Sequence, residues 1–363
     1  MSCFDLIVVG AGPAGCTAAI TASRGAAKVL LLERGSFPRH KVCGEFVSAE
    51  SLELLGRLLI HEDGELISNA PRIGKGRIFA DGAEISAEIN PPAASITRFA
   101  LDAALWRACL NGGVDARANF SVKAVKGQGP FFVETETENF ESKTVINATG
   151  RWSNLTSTDA TRDNGERRIG LKAHFREASS PPSVDLYFFD GGYCGVQPIT
   201  DESGEHAVNA CAMVGSRFAK TIADVLQLHP ELKASSREWE LLTRPVTTSP
   251  LAFHEPTPLA GGMLQVGDAA TFVDPFVGDG ISLALRSGAL AAECLMPFLS
   301  GASSLQEAAG EYARRYRQRL SHVFRASSVL RRILGWPTVV RRPLLTLVQK
   351  TPSLARQLVR LTR

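Results

Sequence analysis

Gly10-Ala11-Gly12-Pro13-Ala14-Gly15 sets three glycines at G-x-G-x-x-G spacing, between an apolar run (FDLIVVG, 4–10) and an Ala-rich segment. This spacing suits a phosphate cradle. The first glycine makes the tight turn, the second lets backbone approach a pyrophosphate, and the third lets helix pack on strand. A helix starting there aims unsatisfied N–H groups and a positive dipole end at the phosphates. Glu33, 18 residues after Gly15, ends a second apolar run, where a carboxylate can accept hydrogen bonds from ribose hydroxyls. Strand, helix, second strand and acid together indicate a dinucleotide site, and the glycines alone fit NAD or FAD.

A second stretch, PRHKVCGEFVS (38–48), sets Cys43 among His40, Lys41, Gly44 and Glu45. Cys43 could be a catalytic thiol, a metal ligand or a small residue in a tight corner. The seven cysteines, at 3, 16, 43, 109, 194, 211 and 294, form no C-x-x-C and none has a His at zinc-ligand spacing. The seven histidines are scattered, and no Ser-His-Asp or paired-carboxylate arrangement stands out. The small-residue reading is preferred, with Gly44 permitting close backbone approach.

The elements that must position these residues follow from pattern. FDLIVVG and KVLLLE (28–33) read as buried parallel strands. PAGCTAAITASRG (13–25), with Gly25 as C-cap, reads as the helix of a βαβ unit. Residues 45–60 and 95–113 are predicted helical, and 62–94 predicted as turns and short strands. VDARANFSVKAVKG, PFFVETETE and KTVINATG are read as further strands. Residues 168–255 alternate in the manner of a second, antiparallel sheet, with a helix over 216–228. GMLQVGDAA (262–270) is a strand and turn. Helices are expected over 278–299 and much of 303–363, where Pro337, Pro343 and Pro352 cut the tail into short pieces.

The chain has 363 residues, 44% hydrophobic and 21% charged, an ordinary globular balance with net charge +3. From Tyr312 to Arg363 there are 13 Lys and Arg and no Asp or Glu, which leaves 27 basic against 37 acidic residues before it. An acidic body with a basic tail suggests an anionic partner surface. The tail's mix of Arg with Leu, Val and Trp336 fits an amphipathic segment on a membrane. It equally fits helices packed on the body. Nucleic acid is disfavoured, because no pattern of basic and aromatic residues suited to base stacking occurs. No leader is expected, and ISLALRSGALAAECLMPFL is broken by Arg286 and Glu293. The expected location is cytoplasmic, with peripheral contact to the inner membrane face left open.

Two distant pieces decide the cofactor. VINATG (145–150) is a strand ending in Ala-Thr-Gly, and VGDAATFVDPFVGDGISLALRSG (266–288) sets Gly267-Asp268 at a strand end. Asp268 suits a ribityl hydroxyl. Gly278-Asp279-Gly280-Ile281 starts a helix whose N–H groups suit the anionic side of a flavin. These motifs, in this order, resemble the FAD-dependent monooxygenase superfamily with the p-hydroxybenzoate hydroxylase fold, over residues 1–300. KVCG (41–44) resembles the K-x-C-G loop of its geranylgeranyl reductase-like branch.

The resemblance implies an α/β fold. A Rossmann-type FAD-binding domain (1–65, 95–165 and 260–300) carries an inserted antiparallel-sheet substrate domain (66–94 and 166–259). A basic helical segment (301–363) follows. It implies FAD contacts at Gly10, Gly12, Pro13, Ala14, Gly15, Glu33 and Arg34, and at Lys41, Cys43 and Gly44 of the loop. Arg98, in RFALD, and Val122 are implied beside the cofactor and at the adenine. Thr149, Gly150, Gly267, Asp268, Pro275, Gly278, Gly280 and Ile281 complete the set, with Arg151 and Trp152 nearby.

No second G-x-G-x-x-G with strand context occurs, so NAD(P)H is expected only as a transient reductant. The implied reaction is hydride transfer from flavin N5 to a carbon–carbon double bond of a hydrophobic isoprenoid- or polyketide-like substrate. Tyr193 and Cys43 are the candidate catalytic residues, as proton source or orienting group. The branch's Y-x-W-x-F-P loop stands here as YCGVQP (193–198), with Gly195 and Gln197 in the aromatic positions. The alternative is a single-component NAD(P)H-dependent monooxygenase acting on an aromatic or polyketide. A flavin halogenase is disfavoured because no W-x-W-x-I-P block occurs, the tryptophans standing at 106, 152, 239 and 336. An electron-transfer flavoprotein would not need the second sheet. No metal is expected.

Overall fold

The computed structural model describes residues 2–60, 64–151, 155, 167–177, 180–251 and 253–351. The chain opens with β1 (Ser2–Val9), α1 (Pro13–Arg24) and β2 (Val29–Glu33). All five residues of β2 are buried, as parallel strands covered on both faces require. Then come β3 (Phe46–Val47), α2 (Ala49–Leu58) and α3 (Gly64–Ser68), followed by the hairpin β4 (Arg72–Ala80) and β5 (Ala83–Ser95). Predicted turns over 62–94 are thus largely two long strands. Asp81 and Gly82 join them with φ of 53° and 76°, a pair of left-handed residues of the kind a tight hairpin turn demands.

Next are α4 (Arg98–Asn111), β6 (Asp115–Ala118), β7 (Val122–Gly127), β8 (Phe131–Thr135) and β9 (Asn139–Asn147). β10 (Arg168–Arg176), β11 (Ser183–Phe189), β12 (Gly192–Thr200) and β13 (His206–Gly215) form antiparallel neighbours. α5 (Ile222–Leu226) is shorter than the helix predicted over 216–228, because the capping box of Thr221 and Asp224 starts it only there. α6 (Pro230–Ser235), β14 (Glu240–Leu241), β15 (Val246–Thr248), β16 (Leu259–Ala260) and β17 (Met263–Gln265) lead to α7 (Gly280–Leu299). α8 (Leu305–Arg319), α9 (Ser321–Leu334) and α10 (Thr338–Lys350) end the described chain. Pro343 lies inside α10 rather than breaking it, and Pro352 falls outside the described residues.

The first sheet runs β16-β17-β9-β1-β2-β6, with β7 and β8 continuing from β9. β1 pairs in parallel with both β2 and β9, so the crevice beyond its carboxyl end is where α/β sheets bind ligands. α1 packs tightly on α7. A side chain at Gly288 would overlap the backbone of Ala14. α7 is long and apolar enough to cross a bilayer by length and composition, but 72% of its most apolar window is buried in this core.

The second sheet runs β14-β10-β13-β12-β11-β4-β5-β3. β3 therefore belongs to it, although residues 1–65 were assigned to the first unit. Alternation along β10, β12 and β13 gives this sheet two different faces. Leu171, Ala173, Val208 and Ala210 pack with Ile222 and Val225 of α5. Registered on the opposite face are Gly170 with Met213, Lys172 with Cys211, His174 with Asn209, and Asn209 with Gln197.

Candidate cofactor and substrate cavity

A cavity of about 1580 Å³ lies between the carboxyl ends of the first sheet and the polar face of the second. Gly10, Gly12, Pro13 and Ala14 line it, as do Glu33 and Arg34, and Lys41, Cys43 and Gly44 of the loop. Arg98, Val122, Thr149 and Gly150 line it from α4, β7 and β9. Gly267, Asp268, Pro275, Gly278, Gly280 and Ile281 close the side nearest α7, and Tyr193 faces in from β12. Gly15 does not line the cavity. A Cβ there would overlap the Gly10 carbonyl oxygen and sit 3.0 Å from Ala148 Cβ, so this glycine serves packing instead.

Clearance for a flat, anionic ligand is built into the backbone. A Cβ at Gly12 would meet nothing closer than Arg98 Nη2 at 4.0 Å, and Cβ atoms at Gly44, Gly150 and Gly280 would meet no atom within 4 Å. Neither α1 nor α7 has a side-chain N-cap hydrogen bond. Both helices therefore present first-turn N–H groups toward one space, from Gly12 and Ala14 and from Gly280–Ile281. Asp279 stands at the N-terminus of α7, and burial pushes its pKa up to about 6. This donor set fits FAD. α1 would hold the pyrophosphate, Glu33 and Val122 the adenosine end, Asp268 the ribityl chain, and Cys43, Gly44 and the start of α7 the ring.

Glu33 is more occupied than a free ribose acceptor. Oε2 accepts from Ala11 N at 2.9 Å and Oε1 from Gly35 N at 2.9 Å, while Arg39 donates to both oxygens at 2.7 and 3.1 Å. Burial alone would raise its pKa, yet the Arg39 fork and these N–H groups bring it down to about 2. A ribose taking its place on Glu33 would displace the Arg39 fork, because a carboxylate offers about four acceptor sites. Arg98 forks onto Asp102 at 2.7 and 2.7 Å and its own N–H reaches Glu45 Oε1 at 2.7 Å, so its guanidinium is held over the cradle. Arg151 Nε lies 3.6 Å from Asp268 Oδ2. Trp152 lies outside the described residues.

The loop carrying Cys43 rests on the polar face of the second sheet. Glu45 is fully buried with φ of 62°. Its Oε1 accepts from Lys172 Nζ and its Oε2 bonds His174 Nε2 at 2.8 Å. Burial works against the Glu45 carboxylate, but Lys172 and His174 hold its pKa below the usual range. Asn209 Nδ2 donates to the Cys43 and Gly44 carbonyls at 3.1 and 3.0 Å. The Glu45 N–H donates to Cys43 Sγ at 3.3 Å, and burial raises the thiol pKa. Cys43 is thus a protonated wall residue, not a thiolate. Glu45 lines the cavity and Lys172, His174 and Asn209 hold its loop from behind, and none of them is assigned to the site from the sequence. Glu45 adjoins the K-x-C-G motif, which is the one signal that pointed at it.

Tyr193 is buried and its hydroxyl donates to Asp274 Oδ1 at 3.1 Å. Burial, then the Asp274 charge, raises the phenol pKa well above its ordinary value. Burial likewise pushes Asp274 up to about 6, and its Oδ2 is buried without a hydrogen-bond partner. Tyr193, Phe188 and Phe276 form a cluster of rings on the cavity wall, with centroids 5.4 to 5.9 Å apart.

Residues 4–197 match the family model described as pyridine nucleotide-disulphide oxidoreductase. Among curated proteins, the chain is similar to a menaquinone reductase of Mycobacterium tuberculosis, 26% identical over 329 residues, covering 80% of this chain and 76% of that protein. It is similar to a digeranylgeranylglycerophospholipid reductase of Methanothrix thermoacetophila, 26% identical over 342 residues, covering 86% and 83%. Among solved structures, a geranylgeranyl bacteriochlorophyll reductase-like protein of Thermoplasma acidophilum superimposes with TM-score 0.78 at 22% identity, covering 99% of this chain and 95% of that one. Flavin-dependent halogenases share the fold as well. The matched glycine cradle, the two converging helix N-termini and these relatives agree: the chain belongs to the pyridine nucleotide-disulphide oxidoreductase family and is an FAD-dependent oxidoreductase.

Proposed function

We propose that the protein reduces a carbon–carbon double bond of a long hydrophobic substrate of isoprenoid type. The carrying observation is the apolar part of the cavity under the second sheet. Ile78, Ile85, Ile89, Leu186, Phe188 and Leu334 wall it, continuous with the glycine-lined part. A wall of this kind binds an alkyl or polyprenyl chain through area, at about 25 cal/mol per Å² of apolar surface removed from water. The reductase names among the relatives support the same class.

FAD, when bound, supplies the hydride. The chain's own work is to hold the alkene close, exclude water and deliver one proton. Tyr193 is the proposed donor, backed by Asp274, whose carboxyl titrates at about 6 and can return a proton to the phenol oxygen. Cys43 and Gly44 shape the face where the chain meets the ring. NADPH, visiting without a dedicated domain, is the proposed reductant.

Anaerobic stopped-flow spectroscopy tests the reading. Reduced holoprotein mixed with a polyprenyl alkene reoxidises without oxygen. If reoxidation instead needs oxygen and the substrate gains an oxygen atom, the protein is a monooxygenase. A halogenated product with halide and oxygen present makes it a halogenase. Either outcome sinks the proposal.

A further inference from the structure

The two last described helices are apolar on more than one side. Leu330, Ile333 and Leu334 of α9 and Leu344, Leu345 and Val348 of α10 turn inward and line the cavity. Leu345 and Val348 also pack on Ala80 and Ile85 of the β4–β5 hairpin. Arg341 forks onto Asp81 at 2.6 and 2.6 Å and pins α10 there. The outer side is the unusual one. Val329, Trp336, Val339, Val340 and Leu347 are five of the nine exposed large hydrophobic residues among the described residues. Val339 is 81% exposed. Val340, Pro343 and Leu347 follow helical spacing, so they form one outward stripe, while Leu344, Leu345 and Val348 form the inward one. A helix apolar all round belongs in a core or a lipid phase, and among the described residues the outer stripe of α10 has no core against it.

Charge selects the occupant. Residues 322–350 contain Arg325, Arg331, Arg332, Arg341, Arg342 and Lys350 and no acid. Arg331 and Arg341 turn to Asp274 and Asp81, whereas Arg325, Arg332, Arg342 and Lys350 are exposed around the apolar stripe. An apolar centre with a tryptophan and a cationic rim matches the acyl boundary and phosphates of an anionic bilayer.

We propose that α9 and α10 dock the protein on an anionic membrane, with Trp336, Val339, Val340 and Leu347 in the headgroup–acyl boundary. Docking is independent of the reaction proposed above, so it is read on the protein without substrate. Full-length holoprotein is sedimented with vesicles of phosphatidylcholine alone or mixed with phosphatidylglycerol. Binding to the mixed vesicles, release by salt, and a blue shift of tryptophan fluorescence lost in Trp336→Phe are expected. Val339→Asp with Val340→Asp, and separately Arg332→Glu with Arg342→Glu, should each weaken binding by about tenfold or more. Val339→Ser with Val340→Ser, a milder change at exposed sites, should weaken it in the same direction. Unchanged flavin spectra and melting would show that the variants fold. Holoprotein left in the supernatant with both vesicle types overturns the proposal. So does a dimer, seen by light scattering, that Val339→Asp with Val340→Asp dissolves while no vesicle binds. That result would assign the face to a second copy.

Discussion

Asp274 carries two duties that conflict. Its buried carboxyl backs Tyr193, but Oδ2 has no hydrogen-bond partner, with Arg331 Nη1 3.9 Å away, and its pKa sits at about 6 against an ordinary 3.8. A carboxyl whose folded pKa is raised binds its proton more readily in the folded chain. Its cost to folding is therefore absent below the ordinary value, grows between 3.8 and about 6, and is complete above. Asp274→Asn should raise stability at neutral pH by on the order of 2 kcal/mol and leave it unchanged at pH ~3.5. Urea melts of the holoprotein at both pH values check this, and an equal gain at both would contradict the carboxylate as the cause. Glu45 is the opposite case, a carboxylate held charged by Lys172 and His174. Glu45→Gln should cost about 3–5 kcal/mol by stranding the Lys172 ammonium, and Glu45→Gln with Lys172→Met should recover part of that. A double variant no better than the single would show that the pair is not what the single removed. Tyr193 and Cys43 could be named from their motifs. The groups they lean on could not be assigned from the sequence, because Asp274 lies 81 residues from Tyr193, and Lys172 lies 127 residues from the Glu45 beside Cys43.

The β1–α1–β2 unit was legible because its signals are local. Buried strand runs, glycine spacing and an acid at a strand end lie within 33 residues and agree with each other. Its glycines separate into two kinds that the motif does not distinguish. A Cβ at Gly12 would point into the cavity, whereas one at Gly15 would collide with Gly10. Gly12→Val should leave apoprotein melting nearly unchanged yet lower the flavin content of purified protein at least tenfold. Gly15→Val should lower the yield of folded protein itself. Flavin absorbance and thermal melts separate the two, and a Gly12→Val protein that keeps its flavin would contradict the cradle. The β4–β5 hairpin was less legible. Gly74, Gly76, Pro91 and Pro92 read as turn formers, and only pairing across the sheet shows that Asp81-Gly82 is the real turn. The helix over 216–228 failed for a similar reason. Its apolar residues, Ile222, Val225 and Leu226, need only one turn and a half to cover the sheet.

At the scale of the molecule, two sheets face each other across one cavity, and α9 and α10 close its apolar side. The sequence showed a basic tail but not which faces of it were covered, since burial against Ala80 and Ile85 is a tertiary fact. The polar lining meets the cofactor and the apolar lining meets the substrate, so the proposed chemistry sits where the two linings join. The most direct measurement is a single turnover of reduced, oxygen-free holoprotein with a polyprenyl alkene in deuterated water, read by mass spectrometry. The proposed function predicts a product gaining two hydrogens, both carrying deuterium because the flavin N5–H exchanges with solvent as the proton donor does, and formed more slowly in Tyr193→Phe. An unchanged alkene with the flavin still reduced would contradict it.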